Sequence, residues 1–230
     1  MSLGKNLQYL RKMHNKMTQE ELAEKMQVSR QTVSKWELDT AYPEINKLTE
    51  LCEYFSCSMD EFVRTDMTAC EDAYSNIRIE TVEEFSYIRY AVISMEPEED
   101  AIRHVNEWAN SLGIPQPEVI GWDFPFASQE QINVFHMHGY AAALILPPDL
   151  TLTDETAQIL TQKKQRYAAI TIKFPSNAPF HIIPGAYKTL STYMQVNGCK
   201  HCEEKDVLSC YEKEYTIDGI DYMDVYIAVS

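Results

Sequence analysis

Apolar positions in the first 65 residues recur at helical spacing. Leu3, Leu7 and Leu10 predict one helix. Leu22, Ala23 and Met26 predict a second, Val33 and Trp36 a third, and Leu48, Leu51 and Phe55 a fourth that begins near Pro43. The polar residues between them read as caps. Thr18 with Glu21 and Ser58 with Glu61 form capping boxes, and Ser29 opens the third helix. From Thr65 to Asn76, "TDMTACEDAYSN" keeps no period and predicts a boundary. The spans read as a helical domain 1–65, a linker 66–77 and a second domain 78–230.

In the second domain strand and helix periods alternate. "RYAVIS" (89–94) predicts a strand. A helix over 98–112 follows, with Ile102, Val105, Trp108 and Ala109 inward and Gly113 as its stop. "VIGWDFPF" (119–126) and the alternating "INVFHMHGYAAALIL" (132–146) predict two more strands. The same order then returns. "RYAAIT" (166–171) echoes the first strand. After a Pro- and Phe-rich loop, 185–196 predicts a helix, and "VLSCYEKEY" and "YMDVYIAV" predict two strands around the Asp218–Gly219 turn. The fold expected is an all-α domain followed by an α+β domain of two strand–helix–strand–strand repeats related by a pseudo-twofold axis. Two such halves share a sheet and leave a groove at the join. Trp122–Asp123 and Tyr211–Glu212 place an aromatic beside a carboxylate at matching points of the repeats. With Trp108, Phe124, Phe126, Tyr90, Tyr140 and Tyr187 they are the candidate ligand-binding residues. Aromatic faces plus carboxylates suit a small hydrophobic or cationic molecule.

Charge sharpens the division. The 230 residues carry a net −15, yet residues 1–36 are +4 and residues 66–230 are −14. A basic head on an acidic body fits a nucleic-acid reader at the N-terminus. Nothing resembles a membrane span or signal peptide, so a cytoplasmic protein with reduced cysteines is expected.

The second and third helices form a helix-turn-helix. The third exposes Arg30, Gln31, Ser34 and Lys35. Arginine matches guanine O6/N7 and glutamine matches adenine N6/N7 in the major groove. Gln19, at a helix start, suits a backbone phosphate. "TQEELAEKMQVSRQTVSKWE" closely resembles the phage-repressor/Cro-like (XRE-type) helix-turn-helix family, over residues 3–63. The resemblance implies binding to an operator in double-stranded DNA, usually as a homodimer. It implies base contacts from Ser29, Arg30, Gln31 and Lys35, and phosphate contacts from Gln19 and Thr32. Gln27 departs from the Gly or Asn common in the family's turn.

Residues 78–230 resemble the gyrase-inhibitor-like effector-binding domain found in multidrug-sensing regulators. The duplicated plan, the closing "YEKEYTIDGIDYMDVYIAV" and Trp108 carry the resemblance. It implies a hydrophobic cleft with a key glutamate, here Glu212. "KFPSNAPFHIIPGA" lengthens the link before the second helix beyond the family's pattern. The combined expectation is a ligand-responsive transcription regulator, not an enzyme. Two alternatives stand beside it. Some gyrase-inhibitor-like domains resemble hydrolases of reactive toxic molecules, in which Glu212 would act as general base or orient a water. The domain could also serve protein interaction or dimerisation. Cys199 and Cys202 flank a CxxC without a second pair, and His136 and His138 lack a third ligand, so neither metal nor cofactor is expected.

Overall fold

The computed structural model describes residues 3–14, 16–64, 66–68, 73–150 and 158–230. Five helices open the chain: α1 (Leu3–Met13), α2 (Gln19–Lys25), α3 (Arg30–Glu37), α4 (Ile45–Tyr54) and α5 (Met59–Arg64). Strands β1 (Tyr74–Val82) and β2 (Phe85–Ser94) lead to α6 (Pro97–Ser111), β3 (Glu118–Asp123), α7 (Gln129–Asn133) and β4 (His138–Ile145). Then come β5 (Ile159–Gln162), β6 (Gln165–Lys173), α8 (Pro179–Val196), β7 (Cys210–Ile217) and β8 (Ile220–Val229). The chain divides into two compact units, one of residues 1–75 with 178–200, the other of 76–177 with 201–230.

The first unit is helical. Leu7, Leu10, Leu22, Val33, Leu51, Phe55 and Phe62 are fully buried in it, each worth about 1.5–3 kcal/mol of apolar burial. The predicted caps form. Thr18 Oγ1 accepts from Glu21 N while Glu21 accepts from Thr18 N, and Ser58 and Glu61 repeat the arrangement. Gln27 takes φ 54°, the left-handed turn between α2 and α3. A buried ion pair locks the ends of α1 and α3: Arg11 Nε and Nη2 grip Glu37 at 2.6 and 3.1 Å.

Helix α8, from the second repeat, belongs to this first unit. His14 Nδ1 lies 2.8 Å from Val196 O, Asn197 Nδ2 donates to Met13 O at 3.0 Å, and Tyr74 OH donates to Ile182 O at 2.6 Å. The helix is also longer than the periodicity predicts, starting at Pro179 instead of near residue 185. Pro179 suits a first helical turn, and Pro184 removes only the bond its N–H would have made to Phe180 O.

The second unit is built on one eight-stranded sheet, ordered β1-β6-β8-β7-β3-β4-β2-β5. Its six central strands run β6-β8-β7 and then β3-β4-β2, the same sequence of roles outward from the β7–β3 junction. This is the pseudo-twofold plan. At the seam Gly121 pairs with Glu212. The opening echo, however, is one residue out of this symmetry. Tyr90 faces α6 and stacks on His104 at 3.8 Å. Tyr167 faces the opposite side and packs with Tyr87, Tyr211 and Tyr226. A one-residue slip in a strand inverts every face.

The predicted strand 132–146 also divides. Ser128 and Gln131 form a capping box that starts α7, His136 turns through φ 53°, and only residues from His138 are extended. The two histidines therefore do not alternate on one strand. Strands β1 and β5 were not expected. Tyr74 already lies within β1, inside the expected linker, whereas Cys70 lies outside the described residues.

Candidate functional site

In the helical unit, α3 presents Arg30, Gln31 and Lys35 to solvent. None of these three side chains makes a hydrogen bond or ion pair among the described residues. Ser34 is half-buried beside them. Ser29 and Thr32 are engaged in the cap: Ser29 Oγ accepts from Thr32 N at 3.1 Å, and the two hydroxyl oxygens lie 2.9 Å apart. Gln19 Nε2 donates to Glu37 Oε2 at 2.8 Å, so the Arg11–Glu37 pair orients the amide at the start of α2. One N–H of that amide remains to meet a phosphate.

In the second unit, the face of the sheet beneath α6 carries a cluster of acids. Residues that pair across a ladder share a face. Glu212 pairs with Gly121, and Asp123 with Tyr140. Glu214, two residues beyond Glu212, lies on that face as well. Glu98, in the first turn of α6, completes the group. Tyr140 sits at its centre. Its hydroxyl reaches Glu212 Oε2 at 3.5 Å, across β3. Gly121 makes this crossing possible: a Cβ there would stand 2.2 Å from the Tyr140 hydroxyl oxygen.

The electrostatics follow from this crowding. Burial raises the Tyr140 phenol far above its usual range, and Glu212, Glu98, Glu214 and Asp123 add to the shift. The phenol therefore stays protonated and can only donate to Glu212. Burial, then Asp123, raises Glu98 above its ordinary value, although part of its surface stays exposed. Burial, then Glu98 and Asp221, does the same to Glu214. No lysine or arginine is among the groups shifting these three residues. Glu98 and Glu214, each raised by burial and by a neighbouring carboxylate, mark a place where a positive ligand would relieve repulsion.

The other predicted ligand residues are distributed elsewhere. Trp122 and Tyr211 lie on the opposite face, because neighbours in a strand point opposite ways. Trp122 packs edge-on against Tyr87 at 6.5 Å, and Tyr211 stacks on Tyr226 at 4.5 Å. Tyr90 and Trp108 stay on the α6 side, gathered around His104. Phe124 and Phe126 follow Asp123 and touch at 4.9 Å, with Phe126 74% exposed. Tyr187 is on α8 and so falls in the first unit.

Comparison with known proteins bears on the head most directly. Residues 7–62 match the helix-turn-helix family HTH_3. The N-terminal domain is a helix-turn-helix. A 63-residue stretch is 41% identical to the HTH-type transcriptional activator BcrR of Enterococcus faecalis, covering 27% of this chain and 30% of that protein. The chain thus matches less than a third of that relative's length. Among solved structures, similarity extends to the crystal structure of the EcmrR C-terminal domain (TM-score 0.47, 10% identity, 67% of this chain and 97% of that one). It extends also to EcmrR in a DNA complex (0.46, 10%, 91% and 97%) and to SAV2435 bound to tetraphenylphosphonium (0.40, 9%, 68% and 94%).

The helix-turn-helix and its caps were legible in the sequence, but three residues around Tyr140 were not. Glu214 follows Glu212 at the strand period and could have been inferred from it. Glu98 looked like an ordinary acid in a helix's first turn. Gly121 gave no signal, since its role depends on a ring arriving from the neighbouring strand. Among the described residues no cluster of His, Cys, Asp and Glu could hold a metal ion, and no helix is long and apolar enough to cross a membrane.

Proposed function

We propose that the chain is a ligand-responsive transcription regulator whose helix-turn-helix reads operator DNA and whose second unit binds a small organic cation. The observation that carries the ligand half is the convergence of Glu98, Asp123, Glu212 and Glu214 on the Tyr140 hydroxyl, with no basic group shifting that hydroxyl. A cation entering there relieves mutual repulsion among the carboxylates and meets the Tyr140 ring, a contact of about 0.5–2 kcal/mol. Glu212 is the direct charge partner, and Tyr140 holds it by donating its proton. The DNA half rests on the family match and on three exposed side chains of α3 that have no partner among the described residues. Arg30 and Gln31 read bases, Lys35 adds a further contact to the duplex, and Gln19 holds a phosphate. Two copies on a palindromic site would place two α3 helices one helical turn apart. Ligand acts by favouring one arrangement of the chain over another.

The test is a thermal-shift titration of the full chain with planar aromatic cations and their neutral analogues, on wild type and Glu212→Gln. Saturation at 100 times the dissociation constant adds about 2.7 kcal/mol. Stabilisation by cations alone, largely lost in Glu212→Gln, supports the reading. Equal stabilisation by neutral analogues, or none by any cation, overturns it.

A further inference from the structure

A cavity of about 360 Å³ lies within the first unit, and none of its lining residues belongs to the second. Its volume is that of a small-molecule pocket. Tyr9 on α1 and Phe55 and Cys57 after α4 form one side. Pro184, Gly185 and Thr189 on α8 form another. The two acids at its edge are already satisfied. Glu61 accepts from Ser58 N and Oγ at 3.0 and 2.8 Å and is drawn further by Lys188. Asp66 accepts from Thr68 N and Oγ1 at 3.0 and 2.9 Å. The Cys57 thiol, pushed up to about 12 by burial, stays neutral. Gln195 Nε2 donates to Ser56 O and Thr192 Oγ1 to Lys188 O, and beside these polar groups the lining offers the aromatic and aliphatic surface of Phe55, Met67, Phe180 and Pro184.

A further observation points to an occupant. Phe180 lines the cavity yet is 98% exposed, a large ring that none of the described residues covers. Phe180, His181, Pro184 and Gly185 all lie in the first turns of α8, so that helix supplies a wall.

We propose that this cavity is a second small-molecule site, selective for an uncharged, flat aromatic compound, with the Phe180 ring stacking on it. It is separate from the cation groove in residues and in ligand charge. An occupant touches α1, the end of α4 and α8 together, so it braces α8 against the helix-turn-helix.

The experiment is a fluorescence titration of the full chain with N-phenyl-1-naphthylamine, an uncharged aromatic probe. Wild type is compared with Thr192→Trp, which fills the cavity, Phe180→Ala, which removes the exposed ring, and Glu212→Gln. Circular dichroism checks that each variant is folded. The expected result is saturable one-to-one binding, weakened at least ten-fold in Thr192→Trp and several-fold in Phe180→Ala, with Glu212→Gln like wild type. Phe180 is at the surface, so its variant decides the matter if Thr192→Trp fails to fold. Absence of saturable binding overturns the proposal. So does wild-type affinity in Phe180→Ala, or a loss confined to Glu212→Gln, which would place the probe in the groove. The cation titration above stands or falls independently.

Discussion

Gly121 is where one missing side chain decides how Tyr140 reaches Glu212. A methyl group there meets the Tyr140 ring, and the ring is buried with little room to yield. Gly121→Ala should destabilise the protein by about 1–3 kcal/mol, the usual cost of overpacking, and should weaken cation binding by moving the phenol from Glu212. Urea denaturation and the cation titration measure the two effects. Tyr140→Phe keeps the ring and should lower cation affinity with a smaller loss of stability. The acids give a pH signature. Glu98 and Glu214 hold protons more tightly folded than unfolded, so stability should fall as pH rises above the ordinary value of 4.5. Cation affinity should rise over the same window. Glu214→Gln should therefore raise the melting temperature at pH 7 and leave it unchanged at pH 4. The gain should be about 0.5 kcal/mol, because solvent screens part of the charge.

At the scale of elements, α3 separates side chains engaged in its cap from side chains turned to solvent. Ser29→Ala removes a cap and should cost about 1 kcal/mol of stability, followed by thermal denaturation. Arg30→Ala should leave stability intact and relax discrimination at one base pair by about 1–3 kcal/mol, read by binding to operator variants. The caps and the exposed face of α3 were legible because helix caps and helical faces are local, set within four residues. The order of strands and helices along each repeat was legible, but the register and the edge strands β1 and β5 were not. The echo "RYAVIS"/"RYAAIT" correctly announced two repeats, yet Tyr90 and Tyr167 face opposite sides, since strand faces depend on pairing with distant partners. The pairing of aromatics with carboxylates failed for the same reason: Trp122 and Asp123 are neighbours in the chain and on opposite sides of the sheet. Helix α8 was foreseen in kind. Its extra turns were not, because two prolines read as loop while both fit the helix.

For the whole molecule, the uneven charge matters most. The basic first 36 residues and the acidic remainder from residue 66 differ in sign, so DNA affinity should fall steeply with salt. Each phosphate neutralised adds about 0.9 to the slope of log affinity against log salt. Lys35→Ala should reduce that slope by about one, measured by fluorescence anisotropy between low and physiological salt.

The first unit is also discontinuous, with residues 178–200 returning to it after most of the sheet has been written. On the ribosome, where chain emerges at roughly 5–20 residues per second, α1–α5 must wait for α8. During that interval the surface that α8 will cover stands open, with His14 and the carbonyl of Met13 lacking the partners α8 will bring. The helix-turn-helix is thus made well before the helix that completes its unit.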